Sequence, residues 1–104
     1  MEISIKRTGL FGLYVKASGR LDLDSAVEYG TRVKDALEDS EERINKLELD
    51  FLEIVFISSF GLKMILELYK QMKDQGGVLV IKNVSDQIRN SFELVGFDKF
   101  IIFE

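Results

Sequence analysis

In the stretch Val55-Phe56-Ile57-Ser58-Ser59-Phe60-Gly61-Leu62, an apolar run stops at two serines and a segment of helical spacing begins just after them. A hydroxyl at such a junction has two uses. As an N-cap it accepts a backbone N–H of the first turn, which stabilises a helix by about 1 kcal/mol. Alternatively it carries or approaches a phosphate, because a helix N-terminus presents unpaired N–H groups and a partial positive charge. Gly61 keeps the first turn slim, but there is no Walker pattern and no second glycine close by. Asp22 and Asp24 are the other residues whose spacing suggests chemistry. They stand before an earlier helical segment, where acids cap the helix and complement its dipole or contact a partner. Two carboxylates are thin as a divalent-metal site.

The rest of the composition narrows the chemistry further. The chain has no Cys and no His, which removes thiolate catalysis, zinc–thiolate sites and the commonest general base. A catalytic protein built from it would rely on carboxylates, Lys or Tyr. The net charge of −4, without a basic stripe, argues against direct nucleic-acid binding. The N-terminus has no long apolar stretch, and no apolar run is long enough to span a bilayer. A cytoplasmic setting is expected, with no cofactor and no resident metal. At 104 residues the chain suits one domain over 1–104 with a core of its own.

The elements that hold the serines in place are legible from periodicity. Ile3 and Ile5 alternate with polar residues, Gly9 turns, and Leu13, Val15 and Ala17 alternate again up to Gly19, which predicts a β-hairpin. Ser25-Ala26-Val27-Glu28 fits a capping box, and Ala26, Tyr29, Val33, Ala36 and Leu37 carry a helix to about Asp39. Leu47, Leu49 and Phe51 alternate with acids in a strand that continues or kinks through Ile54-Val55-Phe56. The second helix starts near Ser59 with Leu62, Ile65, Leu66, Tyr69 and Met72 inward and Lys63, Lys70 and Lys73 solvated. Val78 to Ile81 reads as a strand buried on both faces. Ser85 caps a third helix with Ile88, Phe92 and Val95 inward and Gly96 past its end, and Phe100 to Phe103 forms a last strand. Asp50 reads as strand-end structure. The order β-β-α-β-α-β-α-β predicts an α/β domain: a mixed sheet of about five strands, with an N-terminal hairpin and three packed helices.

The stretch from Leu49-Asp50-Phe51 to Ser58-Ser59-Phe60-Gly61-Leu62 resembles the signature of the anti-sigma factor antagonists, the STAS domain family, which runs L-D-L, an apolar pair, then D-S-S-G-L. Gly19-Arg20-Leu21-Asp22 resembles that family's G-E-L-D, Gly76-Gly77-Val78-Leu79-Val80-Ile81 its G-G-x-apolar strand, and Ile88 to Phe103 its last helix and strand. The likeness spans nearly the whole chain in order.

The resemblance implies a switch protein rather than an enzyme. It would bind an anti-sigma factor that is also a serine kinase, freeing a sigma factor. Phosphorylation of the first serine of D-S-S-G would dissolve the complex, and a serine phosphatase would reset it. By position that acceptor is Ser59, with Ser58 as the fallback. The family's Asp falls on Ser58 and its second serine on Phe60, so a charge beside the acceptor is gone and a bulky ring has entered. Phe60 would fill a partner's pocket or anchor into the core. Asp22, Asp24, Ser58, Phe60, Gly61 and Lys63 are the expected partner contacts. Two other readings stay open: a STAS interaction module that is never phosphorylated, and a small-ligand or nucleotide-binding protein or enzyme using Asp22, Asp24 and Ser59.

Overall fold

The computed structural model describes residues 1–104. Strand β1 (Glu2–Thr8) turns through Gly9 into β2 (Gly12–Leu21), and α1 (Leu23–Asp39), β3 (Lys46–Ile57), α2 (Ser59–Asp74), β4 (Val78–Lys82), α3 (Asp86–Leu94) and the short β5 (Ile102–Phe103) follow. The strands stand in chain order, β1-β2-β3-β4-β5. β1 is antiparallel to β2 and every later pair is parallel. This is the mixed five-stranded sheet, with hairpin and three helices, that the periodicity predicts. No helix is long and apolar enough to cross a membrane.

Sequential strand order settles where the helices go. Right-handed crossovers that all step the same way place every helix on the same face of the sheet. The core agrees. Leu13, Val15 and Leu21 of β2 and Leu47, Leu49, Phe51, Ile54 and Ile57 of β3 join Tyr29 and Val33 of α1, Ile65, Leu68 and Met72 of α2, and Ile88 and Phe92 of α3 in one apolar cluster. The opposite face of the sheet mixes apolar residues, Val78, Val80 and Ile102 among them, with charged and polar pairs. There Lys82 pairs with Glu48 at 3.1 Å, Lys16 with Glu53 at 3.6 Å, and the Tyr14 hydroxyl donates to Asp50.

The predicted kink in β3 is a pair of bulges. Between Lys16↔Asp50 and Ser18↔Glu53, and again between Gly19↔Ile54 and Arg20↔Phe56, β3 advances one residue more than β2. Each extra residue resets the alternation. The inward set is therefore 47, 49, 51, 54 and 57, while Leu52 and Val55 stay exposed. Gly19, at φ +109, lies at the second bulge instead of ending its strand.

Four further expectations need correcting. The cap of α1 is Asp22, and Ser25 is its N3 partner, so Glu28 has no capping role. A carboxylate four residues before Ala26, the first residue of the periodic run, accepts the N3 amide as well as a serine does. On α2, Leu68 is fully buried and Leu66 only partly, so the buried stripe is rotated from the expected one. Val95 is half exposed because α3 ends at Leu94 and the chain turns away at Gly96, φ +79. Phe97–Lys99 is a 3₁₀ turn, which shortens the last strand to two residues and leaves Phe100 stacked on Tyr69 at 4.7 Å.

Candidate functional site

The C-terminal ends of β2 and β3 lie side by side, with Leu21 opposite Ile57. Each strand feeds a helix within two residues, so the N-termini of α1 and α2 are neighbours at one edge of the sheet. Because the strand order never reverses, this edge has no crevice of the kind that opens at a topological switch point. It is a surface rather than a cleft.

Ser58 is the N-cap of α2. Its Oγ accepts the Gly61 N–H at 3.3 Å and donates to the Leu21 carbonyl at 3.0 Å, while its own N–H reaches the same carbonyl at 2.9 Å. Its hydroxyl is thus engaged as donor and as acceptor, tying the start of α2 to the end of β2. Ser59, the first residue of the helix, is exposed and its hydroxyl bonds to nothing in the chain. Gly61 is dictated by the approach of the two strands. A Cβ there would stand 2.8 Å from the Leu21 carbonyl and 2.7 Å from Ile57 Cγ1.

Asp22 caps α1, accepting the Ser25 N–H at 3.3 Å and the Ser25 hydroxyl at 2.8 Å, while its own N–H donates to Ser25 Oγ at 3.0 Å. The Ser25 hydroxyl, and then the Ser25 amide, hold the Asp22 carboxyl below the ordinary carboxylate range. Asp24 sits in the first turn, exposed, where it complements the helix dipole. No group of three His, Cys, Asp or Glu side chains converges there.

Between the two helices the surface is apolar. Leu23, Ala26 and Val27 of α1 face Phe60, Lys63 and Met64 of α2 across a shallow groove of about 170 Å³. Phe60 is 52% exposed, Leu23 51% and Val27 55%. The helices come this close because Gly30 has no side chain: a Cβ there would lie 2.0 Å from Met64 Sδ. Lys34 and Glu67 bridge the far end of the contact at 3.8 Å. Lys63 is exposed and forms no ion pair.

The structure therefore brings Ser58, Ser59, Phe60, Gly61 and Lys63 together at the start of α2, with Phe60 and Lys63 lining the groove, whereas Asp22 and Asp24, at the start of α1, line a separate depression with Met1, Arg20 and Glu28. Phe60, which sequence left between partner surface and core, is surface. Sequence reasoning passed over Leu23 and Val27. Their signal was present as two apolar residues four apart, off the buried stripe of α1. It also gave Asp50 too small a role. Asp50 is 6% exposed and takes hydrogen bonds from Tyr14, from the Leu52 N–H at 3.0 Å and from Asn83 Nδ2 at 3.1 Å. It is nevertheless structural, because it closes the β3–β4 ladder at Asp50↔Lys82. The hydrogen bond to Asp50 pushes the Tyr14 hydroxyl up to about 12.

Known structures share this architecture. An anti-sigma factor antagonist from Mycobacterium paratuberculosis superposes with a TM-score of 0.83 at 20% identity, over 98% of this chain and 83% of that one. The Bacillus cell fate determinant SpoIIAA, in its phosphorylated form, gives 0.76 at 14% identity over 99% and 91%. A sulfate transporter family protein from Wolinella succinogenes gives 0.75 at 20% identity over 94% and 80%. At these identities the likeness establishes the fold. The family model described as STAS domain matches residues 2–104.

Proposed function

The chain belongs to the STAS domain family, and on that premise we propose that it is an anti-sigma factor antagonist switched by phosphorylation of Ser59. It would act as a binding module with no catalytic step of its own. Its partner would be an anti-sigma factor with serine kinase activity, seated over the N-termini of α1 and α2. The observation that carries this reading is the contrast between two neighbouring hydroxyls. Ser58 is spent on the cap, whereas Ser59 is exposed and unbonded beside an apolar groove.

The physics of the switch follows from that placement. A phosphate on Ser59 adds roughly −1.5 to −2 charges at the first residue of a helix, where unpaired N–H groups favour an anion. Lys63, one turn along on the same side of α2 and free of ion pairs, would face it. The fold therefore has no reason to change. A partner packed on Phe60, Leu23 and Val27 would instead have to bury the new charge, which costs several kcal/mol. Since about 1.4 kcal/mol is tenfold in affinity, a micromolar complex would dissociate. Among the structural relatives, SpoIIAA has been solved in both phosphorylated and unphosphorylated forms.

One observation favours a second reading, a module that binds without being modified. Ser58 stands where the family pattern has Asp and Phe60 where it has serine. A kinase that reads those positions would be deprived of both.

Intact-mass analysis and peptide mapping after incubation with ATP, Mg²⁺ and candidate anti-sigma kinases decide between the two. One phosphate on Ser59, absent from Ser59→Ala, is the expected result. Measurable binding with no phosphate would leave the unmodified module. Phosphate on Ser58 would require the cap to open first.

A further inference from the structure

The sheet has one long unpaired margin, and Met1, just before it, lines a depression with Asp22 and Asp24. β1 is outermost and seven residues long, whereas the opposite margin is the two-residue β5. Arg32 of α1 donates from Nη2 to the Ile3 carbonyl at 3.5 Å, so that carbonyl points away from β2. In an antiparallel ladder both backbone groups of a residue point the same way, and successive residues alternate. Ile3, Ile5 and Arg7 therefore present N–H and C=O outward, and the Arg32 contact, at the long limit of a hydrogen bond, covers one carbonyl. Ile3 and Ile5 turn half-buried side chains toward the helices, while Glu2, Ser4 and Lys6 are exposed on the other face. Lys6 is steadied there by Tyr14, its Nζ 5.3 Å from the ring centre.

We propose that this margin pairs with the β1 strand of a second copy of the chain, antiparallel, with Ser4 opposite Ser4. The sequence of β1 is complementary to its own reversal in that register. Ile3 of each copy meets Ile5 of the other, and each pair exchanges both backbone hydrogen bonds. Glu2 of each copy meets Lys6 of the other. Opposite charges directly across an antiparallel pair stabilise it, and like charges destabilise it. Neighbouring registers lose this match. With Ile5 opposite Ile5, Lys6 meets Ser4 and Glu2 meets Thr8. With Ile3 opposite Ile3, Glu2 meets Ser4 and Lys6 has no counterpart. A slip of one residue exchanges the faces of the strand. Charges on an edge discourage indiscriminate strand addition, so the pattern that rejects other strands is satisfied by this one.

A single strand pair is small beside a standard interface, so the dimer is weak and reversible. Its two-fold axis runs perpendicular to the sheet, which joins the two sheets into one and keeps both helix layers on one side. The two groove-bearing edges then point in opposite directions.

Sedimentation velocity from about 10 μM to about 1 mM at low ionic strength, the concentration range of weak association, tests this. We expect a concentration-dependent dimer that Lys6→Glu weakens at least about tenfold and that Glu2→Lys with Lys6→Glu restores to within about threefold. Both positions are exposed, so the fold is not at risk, and circular dichroism verifies it. Isotope-filtered NOEs between Ile3 of one copy and Ile5 of the other would fix the register. A monomer at every concentration, a dimer indifferent to Lys6→Glu, or a reversal that fails to restore association would each overturn the proposal.

Discussion

At the scale of single residues, Ser58 and Ser59 separate stability from signalling. Ser58→Ala removes the N-cap and the tie to Leu21 together, and should cost about 1–2 kcal/mol. In a domain of this size that corresponds to a melting temperature lower by roughly 4–8 °C per kcal/mol, readable by circular dichroism. Ser59→Ala loses no hydrogen bond and should melt with the wild type. Asp50 gives a second residue-scale prediction. Burial pushes its carboxyl up, but the hydrogen bonds from Tyr14, the Leu52 amide and Asn83 outweigh burial, and the net displacement is downward. A carboxyl with a depressed folded-state value stabilises the fold above the unfolded value, about 3.9, and that contribution is lost as the pH falls through the folded value. Asp50→Asn should therefore lower the urea midpoint at pH 7 by the equivalent of about 1–2 kcal/mol, and the gap to wild type should close as the pH drops below the ordinary carboxylate range. Sequence disclosed the serines, since a hydroxyl between an apolar run and a helical one is a local pattern. It could not disclose the Asp50 network, whose partners Tyr14 and Asn83 lie more than thirty residues away along the chain.

At the scale of elements, the start of α2 is held by what Gly61 lacks. Gly61→Ala should force the helix away from the end of β2, because the new methyl meets a backbone carbonyl that cannot swing aside. A loss of about 1–3 kcal/mol is expected from urea unfolding. Gly30→Ala is the useful contrast, since there the obstacle is the flexible end of Met64. The elements themselves were legible because buried strands and amphipathic helices have distinct periods. Their ends were less so. Asp22 competed with Ser25 for the cap of α1, and the bulges of β3 broke the alternation where the strand was longest. The groove was illegible for a different reason: Leu23, Val27 and Phe60 belong to two helices, and only the Gly30–Met64 approach brings them together.

At the scale of the whole molecule, one buried apolar cluster draws on β2, β3 and β4, all three helices and the segment before β5, and Ile3, Ile5 and Phe103 of the two outer strands pack against it. No part of the chain has a separate core, so far-ultraviolet circular dichroism and tyrosine fluorescence should report one coincident urea transition. Earlier loss of the fluorescence signal would mean that the surroundings of Tyr14, Tyr29 or Tyr69 open before the rest of the domain. The family likeness was readable at this scale, from motifs recurring in order along nearly the full chain, even though no single motif matches the pattern completely. The face on which each helix packs was not, because periodicity reports that a helix is amphipathic without naming the surface it meets.

The order of the strands in the sheet is also the order in which they leave the ribosome. Each emerging strand finds its neighbour already synthesised, and none has to be threaded between two that are in place. The N-terminal hairpin is local, and β3 pairs with β2, β4 with β3, and the two residues of β5 with β4. Because contacts between sequence-near strands cost less loop closure than distant ones, this order lets the sheet be completed along one advancing margin. Until synthesis is complete, that margin is the part of the sheet a chaperone would have to shield.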